Sequence, residues 1–256
     1  MIADSILFHP DGRIWTRPAP DPGAAPDILF RYASLEPPSC APGVNAVADA
    51  PCTDAAALPL RDVLERLGPD AARAAVRARE ILVWRLDNRH CGRCGAVLLR
   101  HADPDERAMV CPACGASFWP RLSPAAIVLV ERAGEDGPEV LLERSATDPA
   151  PFWRLVSGFV EPGETAEEAA AREVREETGV EIGAPRPVGS QSWPLPAALM
   201  LAFRATAAAD SPPPRPDGRE VAECRWFPRS ALPALPPGAS VARRLVEAWA
   251  AGREGL

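Results

Sequence analysis

Residues 158–180 read GFVEPGETAEEAAAREVREETGV, and no other segment restricts the fold of this chain so tightly. Pro162-Gly163 breaks the chain after an apolar strand-like run. Thr165 and Glu168 have the T-x-x-E spacing of a capping box, so a helix starts there. Gly179 is a natural C-terminal stop. Advancing about 100° per residue from Ala166 puts Ala170 near 40°, Val174 near 80° and Ala169 near 300°. On the same construction Glu177 falls near 20°, Glu173 near 340° and Glu176 near 280°. Arg175, Glu168 and Arg172 fall on the other side. The acids therefore share the sector of the small apolar residues, which is expected to pack on a sheet and to present three carboxylates into a cleft.

A Glu-rich helix is ordinarily a solvated face with ion pairs four residues apart. Here the acids lie on the wrong side for that, and like charges one turn apart repel. Crowded, partly desolvated carboxylates stay ionised only beside cations. Arg172 can pair with Glu176, but one arginine does not balance three acids. An all-oxygen ligand set suits Mg²⁺ or Mn²⁺, whose coordination is completed by water and substrate phosphates. Glu173, Glu176 and Glu177 thus point to hydrolysis of a phosphoanhydride.

The second strong pattern is Cys91-Gly-Arg-Cys94, sixteen residues, then Cys111-Pro-Ala-Cys114. Each CxxC turns two sulfurs towards one point, and four thiolates close a tetrahedral shell around Zn²⁺ with no position left for water. A redox pair of CxxC motifs would want a βαβ context, which is absent here. The expected site is structural zinc. The remaining three of the seven cysteines fit no motif.

The rest of the chain supplies context. Residues 1–60 are rich in Pro and Ala, with short apolar runs at 5–8 and 28–32 that suit strands of a small domain. Residues 70–87 have helical periodicity without Gly or Pro. Strands are expected at 125–132, 139–144, 153–160, 198–207 and 220–227, and a last helix at about 240–251. The reading is an α+β chain in three parts: an N-terminal domain over 1–88, a zinc ribbon over 89–121 and a catalytic domain over 122–256. The longest apolar runs are far too short to cross a bilayer, and the N-terminus lacks the features of a signal peptide, so a cytoplasmic protein with no membrane partner is expected. A net charge of −7 opposes non-specific nucleic-acid binding but not recognition of one nucleotide or an RNA end.

Residues 158–180 resemble the Nudix box, G-x5-E-x7-R-E-U-x-E-E-x-G-U with U aliphatic. Gly158, Glu164, Arg172, Glu173, Val174, Glu176, Glu177, Gly179 and Val180 fill every defined position. The resemblance implies hydrolysis of a nucleoside diphosphate linked to another moiety, on a mixed sheet sandwiched between helices. A second segment, SQSWPLPAALM at 190–200, is similar to the SQPWPFPxSLM signature of the NADH pyrophosphatases, which also decap NAD-capped RNA. Those proteins share the layout of N-terminal domain, four-cysteine ribbon and catalytic domain, and they carry a V-A-R-R-L helix, here residues 241–245. Three positions depart from the signature: Ser192 replaces a proline, Leu195 an aromatic and Ala198 a serine.

Carried over by position, the resemblance implies that Glu173 and Glu177 ligate Mg²⁺ or Mn²⁺, with Glu176 a ligand or proton acceptor. Glu220 matches an acid that approaches the metals from a distant strand, and Ser157 a main-chain carbonyl ligand. Phe159 and Trp119 match aromatics near the nucleotide. Gln191, Ser192, Trp193, Pro194, Leu195, Pro196, Ala197 and Ala198 would shape the pocket, and Ala242 would touch the ligand through its backbone. Glu106 and Arg61 match further substrate-binding positions. Trp119 and Phe159 could instead be core aromatics, and Glu220 a surface acid. The implied reaction is NAD(H) plus water giving nicotinamide mononucleotide plus AMP, with Glu176 or Glu173 taking the proton. The resemblance also implies a homodimer. The competing readings are another Nudix substrate, such as ADP-ribose or a dinucleoside polyphosphate, and a non-catalytic nucleotide sensor.

Overall fold

The computed structural model describes residues 69–255, except 104–105, 149–151, 195–196, 237 and 239, together with strand positions and the burial of Leu60 and Leu64 in the first 68 residues. The chain forms two compact units, Met1–Arg121 and Leu122–Leu256.

In the first unit, strands β1 (Ser5–Phe8), β2 (Ile14–Arg17), β3 (Asp27–Ile28) and β4 (Phe30–Arg31) pair in the order β3-β2-β1-β4. Strand β5 (Val44–Ala46) runs parallel to β1, and β6 (Ala56–Leu58) pairs with β2. Helix α1 (Pro69–Asp87) follows, with Pro69 at its first position, where the missing N–H is no loss. Asn88 closes the helix, donating from both its backbone N and Nδ2 to the Trp84 carbonyl. Three short strands, β7 (Leu99–Arg100), β8 (Met109–Val110) and β9 (Ser117–Phe118), then form an antiparallel ribbon. Trp84 of α1 is buried with Leu98, Met109, Cys91 and Cys111, so the helix and the ribbon share one small core.

The second unit is built on β10 (Ser123–Gly134). Its C-terminal half pairs antiparallel with β11 (Gly137–Ser145), and its N-terminal half pairs on the same side with β12 (Val156–Phe159). Its other side runs parallel to β14 (Ala197–Thr206). Strands β13 (Arg186–Pro194) and β15 (Val221–Pro228) complete a sheet of order β13-β14-β10-β11-β15. Strand β12 is shorter than the expected 153–160, because residues 153–155 leave β10 and meet β11 in an isolated bridge between Glu143 and Arg154. The expected sequence pattern also passes over β13. Pro187 and Gly189 flank a bulge there, which an edge strand tolerates.

Both sheet faces are apolar, as a sheet covered on two sides requires. Ala126, Val128, Val130, Leu141, Phe203 and Ala205 face one way and pack with Ala169, Ala170 and Val174 of α2 (Ala166–Thr178). Ile127, Leu129, Val140, Leu142 and Ala202 face the other way and pack with Leu245, Val246 and Trp249 of α3 (Val241–Ala250). Trp249 also donates its indole N–H to Glu131 at 2.7 Å, and the buried Arg204 pairs with the same carboxylate at 3.1 Å. The second unit is thus an α/β/α sandwich. Among the described residues no helix is long and apolar enough to cross a membrane.

Candidate active site and a four-cysteine cluster

The loop into α2 is set by local chemistry. Pro162-Gly163 makes a turn in which the Glu164 N–H donates to the Glu161 carbonyl at 3.0 Å, and Gly163 takes φ 92°, a value that favours glycine. Thr165 accepts from the Glu168 N–H, and Glu168 accepts from the Thr165 N–H, so the capping box is closed. Gly179 ends the helix with φ 69°.

Arg172 ties loop to helix. It donates to both oxygens of Glu164, at 2.7 and 2.9 Å, to the Phe159 carbonyl at 2.9 Å, to Glu173 at 2.8 Å and to Glu176 at 3.1 Å. The paired hydrogen bonds from Arg172 hold the Glu164 carboxyl down at about 2. Glu164 therefore braces the loop as a fixed anion. Gly158 has a different reason to be glycine. A Cβ there would lie 2.0 Å from the carboxyl carbon of Glu173, so the missing side chain is the space the Glu173 carboxylate occupies.

The three acids of α2 do not share one environment. Glu177 is buried, and Glu173 is 13% exposed at its side chain. Glu176 is 55% exposed, so the helix buries two of the three carboxylates expected to point inward and leaves the third at the surface. Burial raises Glu173; Arg172 opposes the shift, and Glu176 and Glu220 add to it by repulsion. Burial pushes Glu177 up to about 10, and the neighbouring Glu143 carboxylate is the next cause. Glu220 is exposed just before β15, within electrostatic reach of Glu173. Asp217 shapes its turn, accepting from the backbone N–H groups of Arg219, Glu220 and Val221, while its own N–H donates to the Glu177 carbonyl. The C-terminus of α2 and the start of β15 are thereby joined.

Glu143 and Asp217 belong to this acidic region and were not read from the sequence. Glu143 is 1% exposed, pairs with Arg154 at 3.0 Å and meets the Glu177 carboxyl. The available signal was an acid continuing a run, VLL, buried on both faces.

The excess of acid over base fits divalent cations. The Oε2 atoms of Glu143 and Glu177 are both buried without a donor, and an orphaned buried carboxylate oxygen is costly unless a positive group meets it. Glu173 and Glu177 can hold such ions, with Glu176 and Glu220 at the rim. Ser157 lies half-buried on β12 opposite Ile127, adjacent in sequence to Gly158.

The remaining expected positions fall into three groups. Gln191, Ser192, Trp193 and Pro194 form the end of β13, and the register sets Trp193 opposite Ala198 and Pro194 opposite Ala197 at the head of β14. Gln191 accepts from the Val241 N–H at 2.5 Å, which fastens this hairpin to the start of α3 beside the buried Ala242. Phe159 is 48% exposed, so it is no core aromatic. Trp119 and Glu106 belong to the first unit and touch each other: the indole N–H donates to Glu106 at 3.1 Å, and Trp119 is 56% exposed. Arg61, Leu195 and Pro196 lie outside the described residues.

The cysteine quartet is the one group of three or more His, Cys, Asp or Glu among the described residues whose ligand atoms all lie within 4.8 Å of one another. Two matching knuckles build it. The Cys91 N–H donates to the Ala96 carbonyl and the Gly95 N–H to Cys91; Cys111, Ala116 and Gly115 repeat the pattern. Gly95 and Gly115 take φ 78° and 70° at equivalent positions. Cys91–Cys114 and Cys94–Cys111 sulfurs are 3.6 and 3.5 Å apart. Desolvation works against a Cys111 thiolate, but the amides of Cys114 and Ala113 and the Cys94 thiol outweigh it and lower Cys111 to about 6. The quartet can hold a metal ion with four thiolates.

The NUDIX domain family matches residues 121–249. The NAD-capped RNA hydrolase NudC of Stutzerimonas stutzeri (strain A1501) is 45% identical over 196 residues, 77% of this chain and 68% of that protein. The protein of the same name from Chromobacterium violaceum is 38% identical over 242 residues, covering 94% of this chain and 87% of the relative. The match to the corresponding protein of Pseudomonas aeruginosa (strain LESB58) spans 61% of its length. Among solved structures, a NUDIX hydrolase from Nitrosomonas europaea superposes with a TM-score of 0.49 at 26% identity, over 66% of this chain and 96% of that one. With its complete glutamate box on a two-faced sandwich, this chain belongs to the NUDIX family.

Proposed function

We propose that the protein hydrolyses the diphosphate bridge of NAD(H), giving nicotinamide mononucleotide and AMP, and removes NAD caps from RNA 5′ ends. The observation that carries this reading is the joint one of a complete acidic box, clamped by Arg172 and Gly158, and a SQSWPLPAALM hairpin fastened to the VARRL helix through Gln191. The relatives carrying the NAD-capped RNA hydrolase name support the substrate.

In this reading Glu173 and Glu177, with Glu220 and the Ser157 carbonyl, hold Mg²⁺ or Mn²⁺. Bound there, the ions neutralise charge on the diphosphate bridge and acidify the attacking water. Glu176 or Glu173 accepts the proton from that water. One P–O bond of the bridge breaks and the water oxygen replaces the bridging oxygen, leaving two monophosphates. On capped RNA the products are nicotinamide mononucleotide and a 5′-monophosphate end. Phe159 and Trp193 offer flat surfaces on which a base can stack, and the 191–198 hairpin and Ala242 shape the pocket. Trp119, with Glu106 bonded to its indole, and Arg61 are proposed substrate contacts. Zn²⁺ is the proposed occupant of Cys91, Cys94, Cys111 and Cys114, as a structural ion in a separate ribbon of residues 89–121, between an N-terminal domain of 1–88 and a catalytic domain of 122–256. The reading includes a cytoplasmic homodimer, the latter checked by light scattering.

The test compares kcat/KM for NADH, NAD⁺, ADP-ribose and an NAD-capped oligonucleotide under one Mn²⁺ condition. NADH or the capped RNA should lead. ADP-ribose leading by tenfold or more would replace the substrate, and no turnover of any would return the chain to a nucleotide sensor.

A further inference from the structure

Glu143 stands where the sheet splits. Strand β11 leaves β10 beyond Val140, and residue 154 enters the gap, bonding Glu143 in both directions at 2.9 Å between backbone groups. Side chains alternate along a strand, so Glu143 shares the α2-facing side with Leu141. It lies opposite Cys224 of β15 and is 1% exposed. Arg154 donates through Nε to Oε1 of Glu143 at 3.0 Å. Oε2 of Glu143 has no donor, and neither has Oε2 of Glu177, the buried acid that it meets. Arg154 reaches only one of the four oxygens, so the buried pair must hold either a proton or a cation between its open oxygens, and a divalent cation there satisfies both carboxylates as anions.

We propose that Glu143 is an additional carboxylate of the divalent-cation site, sharing an ion with Glu177 on the sheet side of α2 while Arg154 holds it in place. This rests on the reading of Glu177 as a cation ligand and adds a residue from β11 that lies outside the box. Two protein carboxylates with water and substrate phosphates make an ordinary octahedral site. Arg154 is then a positioning residue. Its bond to Oε1 turns Oε2 inward, as outer partners of metal ligands do elsewhere.

The test is Mn²⁺ binding to the full chain, followed by calorimetry and by the paramagnetic signal of free Mn²⁺, for the parent, Glu143→Gln, Glu177→Gln and Glu135→Gln, the last an exposed acid of the β10–β11 turn. Gln at 143 keeps the shape and still accepts from Arg154. Thermal unfolding without Mn²⁺ checks that each variant folds. The expected result is a loss of at least about tenfold in Mn²⁺ affinity, or of one bound ion, in both Glu143→Gln and Glu177→Gln, with Glu135→Gln unchanged. If Glu177→Gln weakens Mn²⁺ and Glu143→Gln binds as the parent does, Glu143 is no part of the site and this inference falls alone. If neither variant changes Mn²⁺ binding, the reading of Glu177 falls with it. Should Glu143→Gln not fold, Arg154→Gln supplies the same comparison: a weakening of about tenfold supports the positioning pair, and parent-like affinity overturns it.

Discussion

The two acidic and sulfur-rich regions of this protein solve the same problem in opposite ways. The four cysteines converge until all their sulfurs lie within 4.8 Å, on two knuckles of equal geometry. The glutamates come from a helix, a strand and a turn; they influence one another electrostatically, but among the described residues no three of them bring ligand oxygens within 4.8 Å of one another. Closed shells of four protein ligands suit an ion that holds a fold, and open ones suit an ion that must also accept substrate oxygens. The difference lies also in what supports each set. Backbone amides brace the sulfurs. Side chains brace the acids: Arg172 makes five hydrogen bonds to three carboxylates and one carbonyl, and Arg154 holds Glu143.

The largest effect should come from breaking the closed site. Cys111→Ser is expected to lower tightly held zinc from about one ion per chain to none and to unfold the ribbon, since metal binding supplies about 10 kcal/mol or more of folding energy in such sites. Metal analysis and hydrogen exchange at Leu98 and Met109 check this; full protection in the metal-free variant would make the cluster incidental. The open site should instead lose function while keeping its fold. Glu177→Gln is expected to reduce NADH turnover roughly a thousandfold, with a thermal midpoint close to the parent's when divalent ions are absent, because burial keeps the Glu177 carboxyl protonated there and Gln replaces it with a neutral group of the same shape. A smaller loss should follow from Gly158→Ala. The added Cβ overlaps the Glu173 carboxylate, and displacing a reacting group by about 1 Å costs on the order of a hundredfold in kcat; unchanged kinetics would mean that Glu173 works from another rotamer.

The smallest effect is a pH signature of the Arg172 brace. The Glu164 carboxyl is lowered from 4.5 to about 2. A lowered carboxyl contributes stability that is present above its unfolded value and is lost as pH falls towards its folded one. Glu164→Gln should therefore be less stable than the parent at pH 7, and the gap should close as pH drops from about 4.5 to about 2. A gap that does not vary with pH would assign the loss to packing alone.

How much of this was legible in the sequence follows from the range of each interaction. The capping box of Thr165 and Glu168, the stop at Gly179, and helices α1, α2 and α3 depend on neighbours within a turn or two, and their residues suffice. The Cys91–Cys114 cluster is legible because a knuckle is a local motif repeated twice. Strand β13 was not, because Pro187 and Gly189 break the pattern and only pairing with β14 makes it a strand. The helical wheel placed Glu176 at the margin of the inward sector but could not tell that nothing covers it. Glu143 was hidden for a different reason. Its meaning depends on Arg154, eleven residues on, and on Glu177 from another element, so an acid in EVLLER looked like the polar end of a strand.

Inward carboxylates seating divalent ions against a diphosphate are the core of the proposed function, and the release of AMP from NADH tests it most directly. With Mn²⁺ present, one AMP and one reduced nicotinamide mononucleotide are expected for each NADH consumed, with no release after chelation and recovery when Mn²⁺ is returned. AMP release that continues unchanged with all divalent ions removed, or none at all with Mn²⁺ supplied, would contradict it.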